Sequence, residues 1–417
     1  MEDTYLDTLG FYEPNWFFMY VSGIPADLKL DFDRFSNKQN GLYLHEYGHY
    51  LQNITTLSGV LNAIEYYEFT HNIRVRSEKL DTINLPFTNK SIRSEYEQKR
   101  LNRFKLFRGD YYDVLGITDY DYFEVSTHYE LETKGTRKLS FYKNSTLLKR
   151  YNFGNLAVKE GMSRALQIVF DKEPGHPFYP YKMVQCVVDK YCPKLSNNPI
   201  EIAALCSLAL NFENAGHHFF RLVIDYNNAD ISMKEFIHQE FSRKLDISDG
   251  SGLTIKELLI QSIEKLRSTI HFLLGSKVKY IDSLFDNIIA IEKAHDLLFY
   301  DLLSDPNIPL VSKLNELKGY YGVPLIQLED LTWIFPVADT PSGVAEELVE
   351  LRTIKVLLDR LFEVEGRKEC RYIPMCDMKQ EFITDDCCYE KQWLRETICP
   401  LTQMLEYWKI RDQLSKS

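Results

Sequence analysis

Two histidines four positions apart, His45 and His49, stand in LYLHEYGHYLQNITT (residues 42–56), with Glu46 directly after the first. On an α-helix, positions i and i+4 share a face about 5–6 Å apart, so both imidazoles can offer a nitrogen to one ion. Zinc accepts such nitrogens in a tetrahedral set. At a reactive site it keeps one position for water, whose pKa it lowers to about 7. Glu46 falls where its carboxylate reaches that water rather than the ion, and can take the proton as a general base. The chemistry is hydrolysis with one catalytic Zn2+.

Such a site needs a third protein ligand. Glu68 lies nineteen positions after His49, and Glu65, one turn earlier, is a weaker variant of the same idea. Either requires the chain to reverse near Thr56–Gly59, because a continuous helix would carry Glu68 about 28 Å along its axis. The other candidate, Glu160, sits in GNLAVKEGMSRALQ beside Ala157, Gly161 and Ser163, small residues that let helices approach closely. Arg164, at i+4, is placed to orient that carboxylate. Donors for a developing oxyanion are available in Tyr179, Tyr181, His217 and His218. For the two histidines a structural place in the first turn of a helix capped by Asn214 is an equal alternative. Gln52, one turn after His49, can support the site or cap a polar edge.

The elements that must position these residues are legible in outline. Ser36 and Gln39 form a capping box that should open the motif helix, which ends or bends near Ser58–Gly59 before a second helix, VLNAIEYYEFTHNI. Residues 17–34 read as one or two short strands. Residues 121–143 read as a hairpin about Lys134–Gly135, and an edge strand in either region could align an extended peptide. Helices are expected over 154–171, 180–192, 198–211, 214–226 and 231–243. One or two long ones are expected over 253–303, and another over 342–363. Charged residues 73–117 read as a surface excursion. The organisation is a core over 1–245 with that insertion, a helical extension over 246–364, and a cysteine-containing segment over 365–417.

HEYGHYLQNITT (45–56), AVKEGMSRALQ (157–167), HPFYPYKMV (176–184) and ALCSLALNFENAGHHFF (204–220) occur in that order. Together they resemble a poorly characterised bacterial group of HExxH proteins, whose pattern reads approximately HEYxHFLQDITT, a KE-small-M-A helix, a PY segment and an N-x-G helix start. The resemblance covers roughly 45–225. It implies a zincin-like core and places the group's glutamate at Glu160, ahead of Glu68, whose spacing is that of gluzincin aminopeptidases. The fold class expected is α+β and predominantly helical, with a small β-sheet and a helical C-terminal extension. The expected function is that of a zinc metallopeptidase acting on an intracellular protein or peptide. The alternative is a non-catalytic interaction, defence or regulatory protein with a structural or vestigial HExxH site.

Composition narrows the partners. With 45% hydrophobic and 26% charged residues, the chain is typical of folded proteins. A formal charge of −11 argues against a nucleic-acid partner, which calls for a surplus of Lys and Arg. The N-terminus shows no basic, apolar leader pattern and no apolar run reaches the roughly 18 residues of a span, so a cytoplasmic protein without a membrane partner is expected. Eight cysteines in that setting read as reduced thiols. Five of them, Cys370, Cys376, Cys387, Cys388 and Cys399, lack CxxC spacing, so a second, structural zinc there is the less favoured alternative.

Overall fold

The computed structural model describes residues 10–24, 30–87, 107–110, 113, 116–128, 136–245, 252–275, 278–329, 333–334, 344–362, 369–370, 372–373, 376 and 384–415. It is α+β and predominantly helical, as the hydrophobic periodicity implies. The chain enters through an antiparallel pair, β1 (Gly10–Glu13) and β2 (Phe18–Val21). It then forms the motif helix α1 (Asn37–Thr55). Ser36 Oγ accepts from the Gln39 backbone N–H while Gln39 Oε1 accepts from that of Ser36, at 3.3 and 2.9 Å, so the capping box satisfies two otherwise orphaned donors. Nearly every side of α1 is buried, which identifies it as the central helix of the core.

The reversal comes at Thr56, just ahead of Ser58–Gly59. Thr56 is extended (φ −126°, ψ 147°), closing α1 and capping α2 (Leu57–Ser77). Its hydroxyl donates to the Gln52 carbonyl at 2.6 Å and accepts from the Gly59 N–H at 3.2 Å. A Cβ on Gly59 would lie 2.2 Å from the Gln52 carbonyl oxygen, so glycine is what lets α2 start so close to the end of α1.

Three antiparallel strands follow: β3 (Tyr122–His128), β4 (Thr136–Lys143) and β5 (Thr146–Phe153). The expected hairpin is β3–β4, with Phe123 opposite Phe141 and Val125 opposite Leu139 on its inner face. Its Lys134–Gly135 turn lies outside the described residues, and β5 is a third strand absent from the sequence reading. β5 runs through Gly154 directly into α3 (Asn155–Ile168), the helix that carries Glu160. Three helices then pack on α3, namely α4 (Met183–Tyr191), α5 (Pro199–Ala209) and α6 (Ala215–Asn228), and α7 (Met233–Ser242) packs on α5.

The 253–303 stretch resolves into α8 (Ile255–Leu274), α9 (Lys279–Ala294) and α10 (Leu298–Ser304), followed by α11 (Leu310–Tyr321). Two strands of the expected helical extension, β6 (Leu325–Leu328) and β7 (Trp333–Ile334), complete the first sheet in the order β1-β2-β6-β7. β2 and β6 are parallel, so β2 lies inside the sheet and β1 at its edge. Of the two regions expected to hold an edge strand, 17–34 supplies the interior β2, while 121–143 supplies β3 at the edge of its own sheet. The motif helix is held from the same side: Tyr47 and Tyr50 donate to the carbonyls of Gly322 and Tyr321, both at 2.7 Å.

α12 (Val344–Leu361), α13 (Pro400–Tyr407) and α14 (Arg411–Ser415) close the fold. Parts of 73–117 are docked here rather than forming a surface excursion. Ile83 and Phe87 are buried, and their N–H groups bond to the carbonyls of Gln413 and Leu361. Residues 88–106, 111–112 and 114–115 of that insertion lie outside the described residues. No helix among the described residues is long and apolar enough to cross a membrane.

Candidate metal centre

α1 and α3 cross at small residues. A Cβ placed on Gly48 would touch Leu166 Cδ1 and Ser163 Oγ at 3.0 Å, and one on Gly41 would lie 3.2 Å from the Gln167 carbonyl oxygen. On the far side of α3, Gly161 leaves no room: its Cβ would lie 2.2 Å from Val184 Cγ2 of α4. This close layering brings Glu160 to the histidines. Its Oε2 lies 3.5 Å from His45 Nε2 and 3.3 Å from His49 Nε2. Ligand atoms of the three residues all fall within 4.8 Å of one another. Glu68 is elsewhere, half-buried on α2 and paired with Lys265 at 3.0 Å. Of the two candidates for third ligand, the fold brings Glu160 to the histidines.

The hydrogen bonds behind the cluster fix one imidazole. Gln52 Nε2 donates to the Lys159 carbonyl at 2.8 Å and to Ser163 Oγ at 3.2 Å, which turns its Oε1 toward His49 Nδ1 at 3.2 Å. An amide oxygen only accepts, so His49 carries a proton on Nδ1, which leaves Nε2 as the nitrogen a metal would take. Ser163 Oγ, 3.3 Å from the same Nδ1, supports the arrangement. Gln52 therefore supports the site and links α1 to α3. Buried His45 Nδ1, by contrast, has no hydrogen-bond partner among the described residues.

The donor set fits a metal ion. Two imidazole nitrogens and one carboxylate oxygen converge in a buried space. The electrostatics agree: burial alone would raise the Glu160 carboxyl, yet His49 and His45 hold it well below the usual carboxylate range. For His49, burial lowers and the Glu160 carboxylate raises, with a net rise to about 9. In this pairing a proton sits where a metal would bind, since metal binding requires the imidazole nitrogen to be deprotonated. Imidazole and carboxylate together accept zinc and several other divalent metals.

Glu46 is 4% exposed, and burial pushes its carboxyl above the ordinary value against the pull of both histidines. It lies against the edge strand: a Cβ on Gly10 would meet Glu46 Cγ and Oε1 at 2.8 Å. Gly10 thus lets β1 approach the side chain read as the general base, a contact that the sequence reading missed.

Among the candidate oxyanion donors the structure separates one from the rest. Tyr181 stacks on His176 with ring centroids 4.2 Å apart and lies 5.8 Å from the His45 ring. Tyr179 is fully buried, and its hydroxyl donates to the carbonyls of Asp110 and Asn152, which makes it a structural residue. His218 lies flat on Phe212 at 3.9 Å with His217 edge-on to it, at the Asn214-capped start of α6. The site neighbour absent from the sequence reading is His176. Its ring is 5.0 Å from that of His45, and its Nε2 is 2.6 Å from Gln167 Oε1. Its only signal in the sequence was its place in HPFYPYKMV. Arg164 does not orient Glu160 as expected, because that carboxylate turns to the histidines; Arg164 feels Cys186 and Asp189 of α4 instead.

All eight cysteines are free thiols. The His45–His49–Glu160 group is the one set of three such donors within 4.8 Å among the described residues, while burial first, and then the neighbouring Cys399, Cys376 and Cys388, raise the Cys370 thiol. Cys388 Sγ accepts from Arg395 at 2.9 Å, and Cys399 Sγ caps α13 by accepting from the Thr402 N–H at 3.5 Å. Comparison of the chain with family models, with curated proteins and with solved structures finds no match.

Proposed function

We propose that this protein is a zinc-dependent metallopeptidase that hydrolyses a peptide bond in a protein substrate. The carrying observation is the convergence of His45 Nε2, His49 Nε2 and Glu160 Oε2 from two helices, with Glu46 beside them. Zinc held by those three donors would supply a Lewis acid and a water acidified to about neutral pH. Glu46, with its carboxyl raised by burial, is suited to receive a proton from water and pass it to a leaving amine. β1 pairs only with β2 among the described residues, so an extended peptide can add along its outer edge and pass over Glu46 at Gly10. Tyr181 borders the same space.

The test is metal content together with cleavage of a proteome-derived peptide library. The wild-type chain should carry one zinc and cut. Glu46→Gln should keep zinc and lose cleavage by about 100-fold or more, as expected for a general base. His45→Ala should lose the metal. A purified chain without stoichiometric zinc, whose melting is unchanged by His45→Ala, ends this reading. Zinc retained with cleavage indifferent to Glu46→Gln leaves a structural site instead.

A further inference from the structure

The edge strand beside Glu46 has a fixed register with its neighbour. Gly10 stands opposite Val21, Phe11 opposite Tyr20, Tyr12 opposite Met19 and Glu13 opposite Phe18. Successive side chains of a strand point to opposite faces, so Gly10 and Tyr12 belong to one face and Phe11 and Glu13 to the other. The first face is turned to α1: a Cβ on Gly10 would lie 2.8 Å from Glu46, and Tyr12 lies edge-on to Tyr50 with ring centroids 5.9 Å apart. The second face carries aromatic rings. Phe11 stacks on Tyr20 at 5.3 Å and meets Phe18 at 6.0 Å.

The charged groups at the two ends of this aromatic row already have partners. Glu13 pairs with Arg352 of α12, whose guanidinium lies 4.2 Å over the Phe18 ring, so α12 covers that end of the face. At the other end, Glu329 accepts from the Gly23 N–H at 3.0 Å. Phe18 is fully buried, whereas Phe11 and Tyr20 are only half-buried. A peptide added to the outer edge of β1 must follow the alternation of the strand it joins. Its residue opposite Gly10 turns toward Glu46, where the glycine leaves room, and the next residue, opposite Phe11, turns the other way onto that ring. Directly opposed side chains have Cβ atoms about 4.5–5.5 Å apart, and aromatic pairs are among the favourable combinations. The alternation is the same whichever way the peptide runs.

Resting on the metallopeptidase reading, we propose that Phe11, backed by Tyr20, is a specificity-determining residue that selects an aromatic side chain in the substrate, next to the residue lying over Glu46. The probes are two series of short peptide hydroxamates carrying Phe, Ala or Asp at either the first or the second residue from the metal-binding group. Their binding is measured on the zinc-loaded full chain. In one of the two series Phe should bind about fivefold more tightly than Ala, the equivalent of one good cross-strand pair, with Asp no better than Ala. Phe11→Thr keeps a strand-forming residue without the ring and should bring that preference close to unity. Tyr20→Thr, one strand further from the peptide, should reduce it partway and is the second variant should Phe11→Thr impair folding. The other position faces α1, so any preference there should be the same in all three chains. Equal binding of Phe and Ala in both series, or a preference that both substitutions leave in full, overturns the subsite while leaving the metallopeptidase reading intact. A chain that takes up no zinc overturns both.

Discussion

At the scale of single residues, Gln52 carries the most testable claim. Its amide is pinned by the Lys159 carbonyl and Ser163, so its oxygen faces His49 and leaves Nε2 as the nitrogen a metal would take. Partners of this kind typically change metal affinity 10–100-fold when removed. Gln52→Ala should therefore weaken zinc by about that factor in competition with a chelator, with the far-ultraviolet spectrum retained. Affinity equal to the wild type would show that His49 needs no such partner. His45, Glu46 and His49 could be picked out from residue type and helical spacing, whereas Glu160 stood ahead of Glu68 only through the resemblance carried by AVKEGMSRALQ. Gly10 and His176 could not: each acquires its place only when strand or loop packs on α1, and no local periodicity records that.

At the scale of elements, two glycines should respond differently to the same added methyl. On Gly48 it would meet the ends of the Leu166 and Ser163 side chains at 3.0 Å, which can give slightly. Alanine also favours the helix by about 1 kcal/mol over glycine, so Gly48→Ala should come out close to neutral in stability. On Gly161 the methyl would lie 2.2 Å from Val184 Cγ2 and 2.6 Å from Val184 Cβ, atoms held on a packed helix. Overpacking of that kind costs about 1–3 kcal/mol, so Gly161→Ala should lower the urea midpoint measurably despite the same gain in propensity. Equal midpoints for the two variants would show that α3 and α4 separate freely. The reading of helices fared well because capping boxes and amphipathic spacing are local signals. β1 and β6 escaped it because a four-residue strand has little periodicity, and β6 is defined by its pairing with a strand from the opposite end of the chain.

At the scale of the whole molecule, that same pairing means the expected boundary near residue 245 is crossed by one sheet, and the tyrosines of α1 are anchored to the Tyr321–Gly322 segment. The far helices therefore contribute to the stability of the site, and one of them carries a buried charge problem. Glu292 of α9 is 3% exposed. Burial, tempered by Lys256 and reinforced by Asp296, raises its carboxyl from 4.5 to about 8. Lys256 is committed to Asp296 at 3.0 Å, which leaves Glu292 to stay protonated in the folded protein. Between those two pKa values the folded state holds a proton that the unfolded chain has lost, so this group makes stability fall as pH rises from about 4.5 to 8 and then level off. The full effect is on the order of a few kcal/mol. Glu292→Gln keeps the shape without the ionisable proton, so its melting temperature should match the wild type near pH 5 and exceed it increasingly up to pH 8. Differential scanning calorimetry across that range decides the matter: a wild-type minus variant difference that does not change with pH would place Glu292 in contact with solvent or a compensating cation.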